Sequence, residues 1–266
     1  MKNHFIHFNR RQVRLLYSNR DFELWFAEAQ SPVAGFERPQ YHITRAVNGP
    51  AAEVNEGDTI WLIGQLYSPW GKLPPAIDAR IDVSTRLELK DDGGNLSGYR
   101  YQAAPTSRWF PLADVSTVLD SLKTQRRNGE AEPLRKKPEQ PIGQLLQRIR
   151  KLESGKPLLF WENTLDENSF DFVSYRIFDG TRAAFVKVKS IVDAGGAVFW
   201  DRWSLPRRLA ERREFLSDTA LEKYIEEQIK RAKVMWAINS PLYGKDGTYS
   251  AREMLLGQKL GTYRSS

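Results

Sequence analysis

Apolar and polar positions follow two different rhythms in this chain. Up to residue 123 the apolar runs are short and turn signals are frequent. HFIHF (4–8), VRLLY (13–17), FELWFAEA (22–29) and TIWLIGQLY (59–67) are rich in β-branched, aromatic and Leu residues, the composition of strands. IDARIDVSTRLEL (77–89) alternates apolar and polar residues, which predicts a half-buried strand. Turn signals separate these runs at Asn48-Gly49-Pro50, Glu56-Gly57-Asp58, Ser68-Pro69-Trp70-Gly71 and Asp91-Asp92-Gly93-Gly94. In 111–125, Val115, Val118, Leu119 and Leu122 fall at helical spacing, with Asp114 as the expected N-cap. The first part is expected to be a small β-rich module closed by one helix.

After residue 141 the rhythm changes to alternation. A helix is expected over 141–153, then strands at PLLFWE (157–162) and FDFVSYR (170–176), and a helix over 181–195. A strand at AVFWD (197–201), a helix over 219–233, a strand at VMWAINS (234–240) and a helix over 249–260 complete the series. Strands alternating with helices of ten to fifteen residues predict an α/β fold with a parallel sheet. The helix after Ser217 has the clearest pattern. Ser217 or Asp218 can cap it, Leu221, Ile225, Ile229 and Ala232 form one stripe, and basic residues gather at its C-terminal end. Between the two parts, 123–141 is polar, carries glycine and late prolines and has few apolar residues. That is a linker composition. The expected division is 1–123, a linker at 124–141, and 142–266, with the linker the first site of limited proteolysis.

Composition bounds the chemistry. At 41% hydrophobic and 27% charged residues, the 266-residue chain has enough apolar surface for a packed core. It has no Cys, which excludes disulfides, thiolate metal sites and a Cys nucleophile. No apolar run approaches the length of a membrane span, and the N-terminal stretch lacks a signal-peptide pattern. A cytoplasmic location without membrane contact is expected. The net charge of +7 is uneven: residues 1–123 are neutral, 124–155 carry +4 and 156–266 carry +3. The basic middle is either a solvated surface or a contact for a polyanion such as nucleic acid. No phosphate-binding glycine motif or nucleophile elbow occurs. His4 and His7 fall on opposite faces of a strand, so no metal site is expected. Trp25, Trp61, Trp70 and Trp109, some beside basic residues in turns, either anchor a core or stack on a nucleic-acid or nucleotide trigger.

One set of motifs in the C-terminal part falls in a recognisable order. Phe172-Val173-Ser174-Tyr175 ends a strand; Val198-Phe199-Trp200-Asp201 ends a second, before an Arg-rich loop. A third strand runs into Ser240-Pro241-Leu242-Tyr243, and Glu253 lies in the helix that follows. From about Phe170 to Leu260 this series resembles the TIR (Toll/interleukin-1 receptor) domain of bacterial type. The resemblance implies a flavodoxin-like parallel sheet. It also implies two further strands and a helix after Glu253, whereas 13 residues follow it here. A shortened sheet is therefore expected, or one whose missing edge PLLFWE supplies.

Enzymatic TIR domains cleave NAD between nicotinamide and ribose. The resemblance thus implies that NAD is a substrate, that no other cofactor is needed, and that Glu253 is the catalytic carboxylate. It places Ser174, Tyr175, Asp201, Trp203, Tyr243 and Tyr249 at the substrate. It makes the loop carrying Arg207 and Arg208 a self-association or gating surface. The role implied is an intracellular immune or signalling effector, assembled with itself or with a partner protein and controlled by the N-terminal module. Two other readings stay open: a non-enzymatic TIR-like scaffold or regulatory subunit, and a nucleic-acid-binding protein. Glu253, early in its helix, is also compatible with a solvated residue paired with Arg252.

Overall fold

The computed structural model describes residues 2–8, 41–68, 70–126, 128–137, 139–165, 169–204 and 218–266. The expected strands at 13–17 and 22–29, Trp25, and the loop with Arg207, Arg208 and Ser217 lie outside these residues. The first half contains β1 (His4–Phe8), β2 (Tyr41–Thr44), α1 (Pro50–Glu53), β3 (Thr59–Gly64), β4 (Tyr67–Ser68) and β5 (Gly71–Lys72). There follow β6 (Ala76–Lys90), β7 (Leu96–Ala103), β8 (Arg108–Trp109) and α2 (Ser116–Ser121). Next come β9 (Lys123–Gln125), β10 (Ala131–Pro133), α3 (Ile142–Leu145), β11 (Arg150–Lys151) and α4 (Lys156–Thr164). The chain then alternates: β12 (Phe170–Ser174), α5 (Ile177–Asp193), β13 (Ala197–Phe199), α6 (Asp201–Ser204), α7 (Asp218–Arg231), β14 (Val234–Ala237), α8 (Tyr249–Leu260) and β15 (Tyr263–Ser265).

The N-terminal sheet runs β11-β1-β3-β6-β7-β2, with β8 added to β6. Among its described strands, only β1 and β3 pair in parallel. β3 is buried along its whole length because both faces of the sheet are covered. Phe5, Ile60, Leu62 and Ile81 point to one cluster, while Ile6, Trp61 and Ile63 point to another. This is the period-two geometry of a strand, applied to residues that are apolar on both faces. β6 is long enough to serve two neighbours. Its first half pairs with β3, and after an irregularity near Val83 its second half pairs with β7.

The C-terminal sheet is fully parallel, in the order β13-β12-β14-β15. Counted in chain order, the second strand lies beside the first, and the third and fourth extend on its other side. The reversal point is between β12 and β14. The apolar stripe of α7 behaves as its spacing predicts, with Ile225, Ile229 and Ala232 buried.

Three sequence expectations are corrected here. PLLFWE is helical, not a strand: α4 starts at Gly155 with Pro157 in its first turn and buries Leu158, Trp161 and Glu162 on one face while Phe160 stands in solvent. A short apolar run fits either period, and Pro157 in the first turn is compatible with the helix. The extra sheet edge comes instead from β15. The helix expected over 141–153 is one turn, α3, before the chain extends into β11 against β1. The helix cap also shifts slightly: Asp114 accepts from the Ser116 amide at 2.7 Å, although Val115 holds the capping position.

The polar stretch 124–141 is not a bare tether either. β9 and β10 form a hairpin, Thr124 bridges Leu152, and Leu134 is buried. Composition missed this because one apolar residue and a hairpin suffice to dock it. The two halves also share their cores. Ile6, Trp61 and Ile77 belong to the same cluster as Phe172, Phe199, Ile229 and Met235, and Leu66, Leu73 and Leu112 join Val173, Phe185 and Trp200 on the sheet's other face. The edge of β13 is closed by Leu112, which exchanges backbone hydrogen bonds with Val198. Among the described residues no helix is long and apolar enough to cross a membrane.

A buried imidazole pair lies in the N-terminal sheet. His7 Nδ1 and His42 Nε2 are 2.7 Å apart, and His42 stacks on Tyr101. Such a bond needs one proton and one lone pair. Burial first, then the neighbouring His7, pushes His42 well below its usual range. A depressed histidine contributes stability at pH values above the unfolded pKa, and that contribution is lost as pH falls below it. The melting temperature should therefore drop between pH 7 and pH 5, and His42→Gln should flatten that drop. An unchanged slope in the variant would mean that other groups carry the acid sensitivity.

Candidate active site

The carboxyl end of β12 is the centre of the site. Ser174, its last residue, is buried, and its backbone carbonyl accepts from the Ile238 amide just beyond β14. Its side chain therefore sits at the reversal point between β12 and β14. In open α/β sheets, ligands bind at such points, outside the carboxyl ends of the strands.

α8 brings Glu253 to the same place. The helix is capped by Thr248, whose side chain accepts from the Ala251 amide, and it ends at Gly261 in the left-handed conformation. One turn after Glu253, Gly257 lies against β14; a Cβ there would come within 2.5 Å of Met235 Sδ. The missing side chain lets the helix settle onto the sheet and sets the height of Glu253 above it. Ser174 Oγ donates to Glu253 Oε2 at 2.5 Å and lies 2.8 Å from the Tyr243 hydroxyl. With Glu253 ionised, the single serine proton points to the carboxylate, so Tyr243 donates to Ser174.

Tyr243 is held by its loop. Asp179, in the first turn of α5, accepts from the Ser240 hydroxyl at 2.8 Å and from the Leu242 amide at 2.9 Å. The carboxylate thus satisfies backbone after β14 while favouring the positive end of the α5 dipole.

A second polar group adjoins the first. The Tyr175 hydroxyl donates to Asp201 Oδ1 at 2.7 Å and accepts from Arg202 Nε at 2.8 Å. Tyr175 and Arg202 are buried, while Asp201 is partly exposed. Burial, and then the nearby negative Asp201, raises Glu253 to about 7, against the lowering effect of the Ser174 hydrogen bond. Burial raises the Tyr243 hydroxyl well above its usual range, so it stays a neutral donor.

Of the residues expected at the substrate, Glu253, Ser174, Tyr175, Asp201 and Tyr243 come together. Glu253 lies in the second turn of its helix and pairs with Ser174, so it is not a solvated partner of Arg252. Trp203 departs from expectation. It is buried at 1% exposure, and its ring nitrogen donates to the Phe110 carbonyl at 3.2 Å. It anchors α6 to the N-terminal module and offers no stacking face. Trp200 is likewise in the core. Tyr249 is exposed, with the Arg252 guanidinium 6.0 Å from its ring centre. Arg207 and Arg208 lie outside the described residues. Sequence reading missed Asp179 and Arg202. Asp179 lay two residues before the helix expected over 181–195, so only the earlier start of α5 puts it in a first turn, whereas Arg202 was hidden among five arginines of one loop. Among the described residues no cluster of side chains could hold a metal ion.

No family model, curated protein or solved structure matches this chain.

Proposed function

We propose that the chain is a TIR-like effector that cleaves NAD at the nicotinamide–ribose bond, with Glu253 as its catalytic carboxylate. The observation that carries this reading is the meeting of Glu253 with Ser174 at the reversal point of a parallel sheet. The motif order from Phe172 to Glu253 supports it from the sequence side.

The chemistry suits one carboxylate. As the bond between ribose C1′ and nicotinamide breaks, its electron pair goes to the ring nitrogen, and the cationic pyridinium departs as a neutral molecule. No general acid is needed. The sugar develops oxocarbenium character, and an ionised Glu253 facing it supplies fixed electrostatic stabilisation. Water then bonds to C1′, and its proton passes to the Glu253 carboxylate. The ionised carboxylate is the working form. With Glu253 raised to about 7, cleavage should increase as pH rises through neutrality and level off above it.

The N-terminal module fits a controlling role. Leu112 closes the β13 edge and Phe110 holds Trp203, one residue beyond Arg202 and two beyond Asp201. Movement of 110–112 would reach the site through α6. Self-association and a nucleic-acid or nucleotide trigger belong to this proposal. The second reading, a non-enzymatic TIR-like scaffold, draws on the withdrawal of Trp203 into the core, which removes a stacking platform. The deciding experiment incubates purified protein with NAD and measures nicotinamide and ADP-ribose by mass spectrometry at pH 8. Release of both products is expected. None, under assembling conditions and with nucleic acid or nucleotides added, would leave the scaffold.

A further inference from the structure

We propose that Ser174 is a positioning residue: its hydroxyl, itself oriented by Tyr243, fixes Oε2 of Glu253, so that Oε1 is the oxygen presented to a ligand. This deepens the NAD-cleaving reading, and it rests on that reading for the identity of the ligand. The resemblance placed Ser174 and Tyr243 at the substrate; the geometry gives them to the carboxylate instead. Ser174 is 2% exposed, and its one proton is committed to Oε2 at 2.5 Å while Tyr243 fills an acceptor position at 2.8 Å. No other hydrogen bond is made by Glu253 among the described residues. The residue is only partly buried, and the hydrogen bond found for its carboxylate among the described residues goes to Oε2. A carboxylate with one oxygen tied to a buried hydroxyl and the other open has lost its rotational freedom. It meets a developing cation without reorganising.

The arrangement has a second consequence. A hydroxyl donating to a carboxylate favours the ionised form, and here it opposes the burial and the Asp201 charge that favour the neutral one. The groups that face Glu253 come from three elements: Ser174 on β12, Tyr243 in the loop after β14, and Asp201 on α6. Loss of the Ser174 proton should make Glu253 harder to ionise, and loss of the Tyr243 hydroxyl should do so less.

The test uses the full chain with carbon-13-labelled glutamate side chains, the Glu253 signal being assigned by its loss in Glu253→Gln. Its titration is followed in the parent, in Ser174→Ala and in Tyr243→Phe, alongside nicotinamide release. The midpoint is expected to move upward in Ser174→Ala and by a smaller amount in Tyr243→Phe. Turnover at pH 7 should fall about tenfold in Ser174→Ala with KM changed by less than about threefold, since the effect is on the protonation and orientation of a catalytic group. Should Ser174→Ala not fold, Ser174→Cys keeps the size with a weaker donor and carries the same expectation, as does Tyr243→Phe. An unmoved midpoint in the folded variants overturns the proposal. A parent that shows the titration shifts but releases no nicotinamide overturns the NAD reading and leaves the positioning role of Ser174 intact.

Discussion

On the proposed NAD-cleaving reading, Glu253→Gln should abolish most nicotinamide release and yet leave the protein as stable as the parent, or more so above neutral pH. The loss follows from the site. A charge facing the developing oxocarbenium is removed while shape is kept, which costs on the order of 3 kcal/mol of transition-state stabilisation, or about a hundredfold in rate. The effect on folding follows from the raised carboxyl. From sequence alone, an acid early in a helix gains a few tenths to one kcal/mol from the dipole, so its removal is expected to cost that much. The structure reverses the sign. Glu253 is in the second turn, its carboxylate is desolvated, and Asp201 adds negative charge nearby.

An acid whose folded pKa lies above its unfolded value contributes stability that is complete below the unfolded value. That contribution is lost as pH rises through the folded value. The window here runs from the ordinary glutamate value of 4.5 up to about 7. Above that window the ionised group burdens the folded state by roughly 3 kcal/mol, and a neutral glutamine does not. Thermal melting at pH 5 should be equal for parent and variant, and at pH 8 the variant should melt several degrees higher. A variant that melts lower at pH 8 would show that Glu253 is held ionised by partners and that its burial is less costly than argued. A variant that cleaves NAD as fast as the parent would move the catalytic role elsewhere, with Asp201 the first residue to test.

The largest loss of stability outside the apolar core is expected from Glu162→Ala. Glu162 is 2% exposed on α4 and receives Arg80 at 2.6 Å and Arg108 at 2.7 Å, which reach it from β6 and β8. Arg80 also donates to Asp82 and to the Thr106 carbonyl. The gain from such a pair over apolar residues is small, but removing the carboxylate takes a buried acceptor from both arginines and leaves Arg80 with Asp82, at 3.1 Å, as its counter-charge. Arg80 side-chain exposure is only 16%, whereas Arg108, at 34%, can turn toward water. Deletion of the carboxylate should therefore cost about 3 kcal/mol, a fall of roughly 10 °C in melting temperature for a chain of this size. Glu162→Gln should cost less, because it keeps an acceptor. Since α4 links the N-terminal sheet to the chain entering β12, the variant should lose both halves in one transition. Two separate transitions would argue that the halves fold independently despite their shared clusters.

The sequence by itself determined the local elements whose pattern has one reading. The strand 170–174, the helix beyond it, and the stripe of Ile225, Ile229 and Ala232 follow from periodicity, because a period of 2 or 3.6 over enough residues admits one partner surface. The order of motifs, through the resemblance to TIR domains, grouped Ser174, Tyr175, Asp201, Tyr243 and Glu253 in advance.

Tertiary structure alone decided the rest. PLLFWE became a helix because its buried face meets Phe110 and the two arginines, and a run of six residues cannot choose its own period. The polar stretch 124–141 docked through Leu134 and a hairpin, contacts that composition cannot register. Trp203 went inward because the Phe110 carbonyl offered a partner 93 positions away in the chain. The protonation of Glu253 had no sequence signal at all. Its charge depends on how much water reaches it and on the positions of Ser174 and Asp201, and those distances exist only once four separate segments have packed at one edge of the sheet.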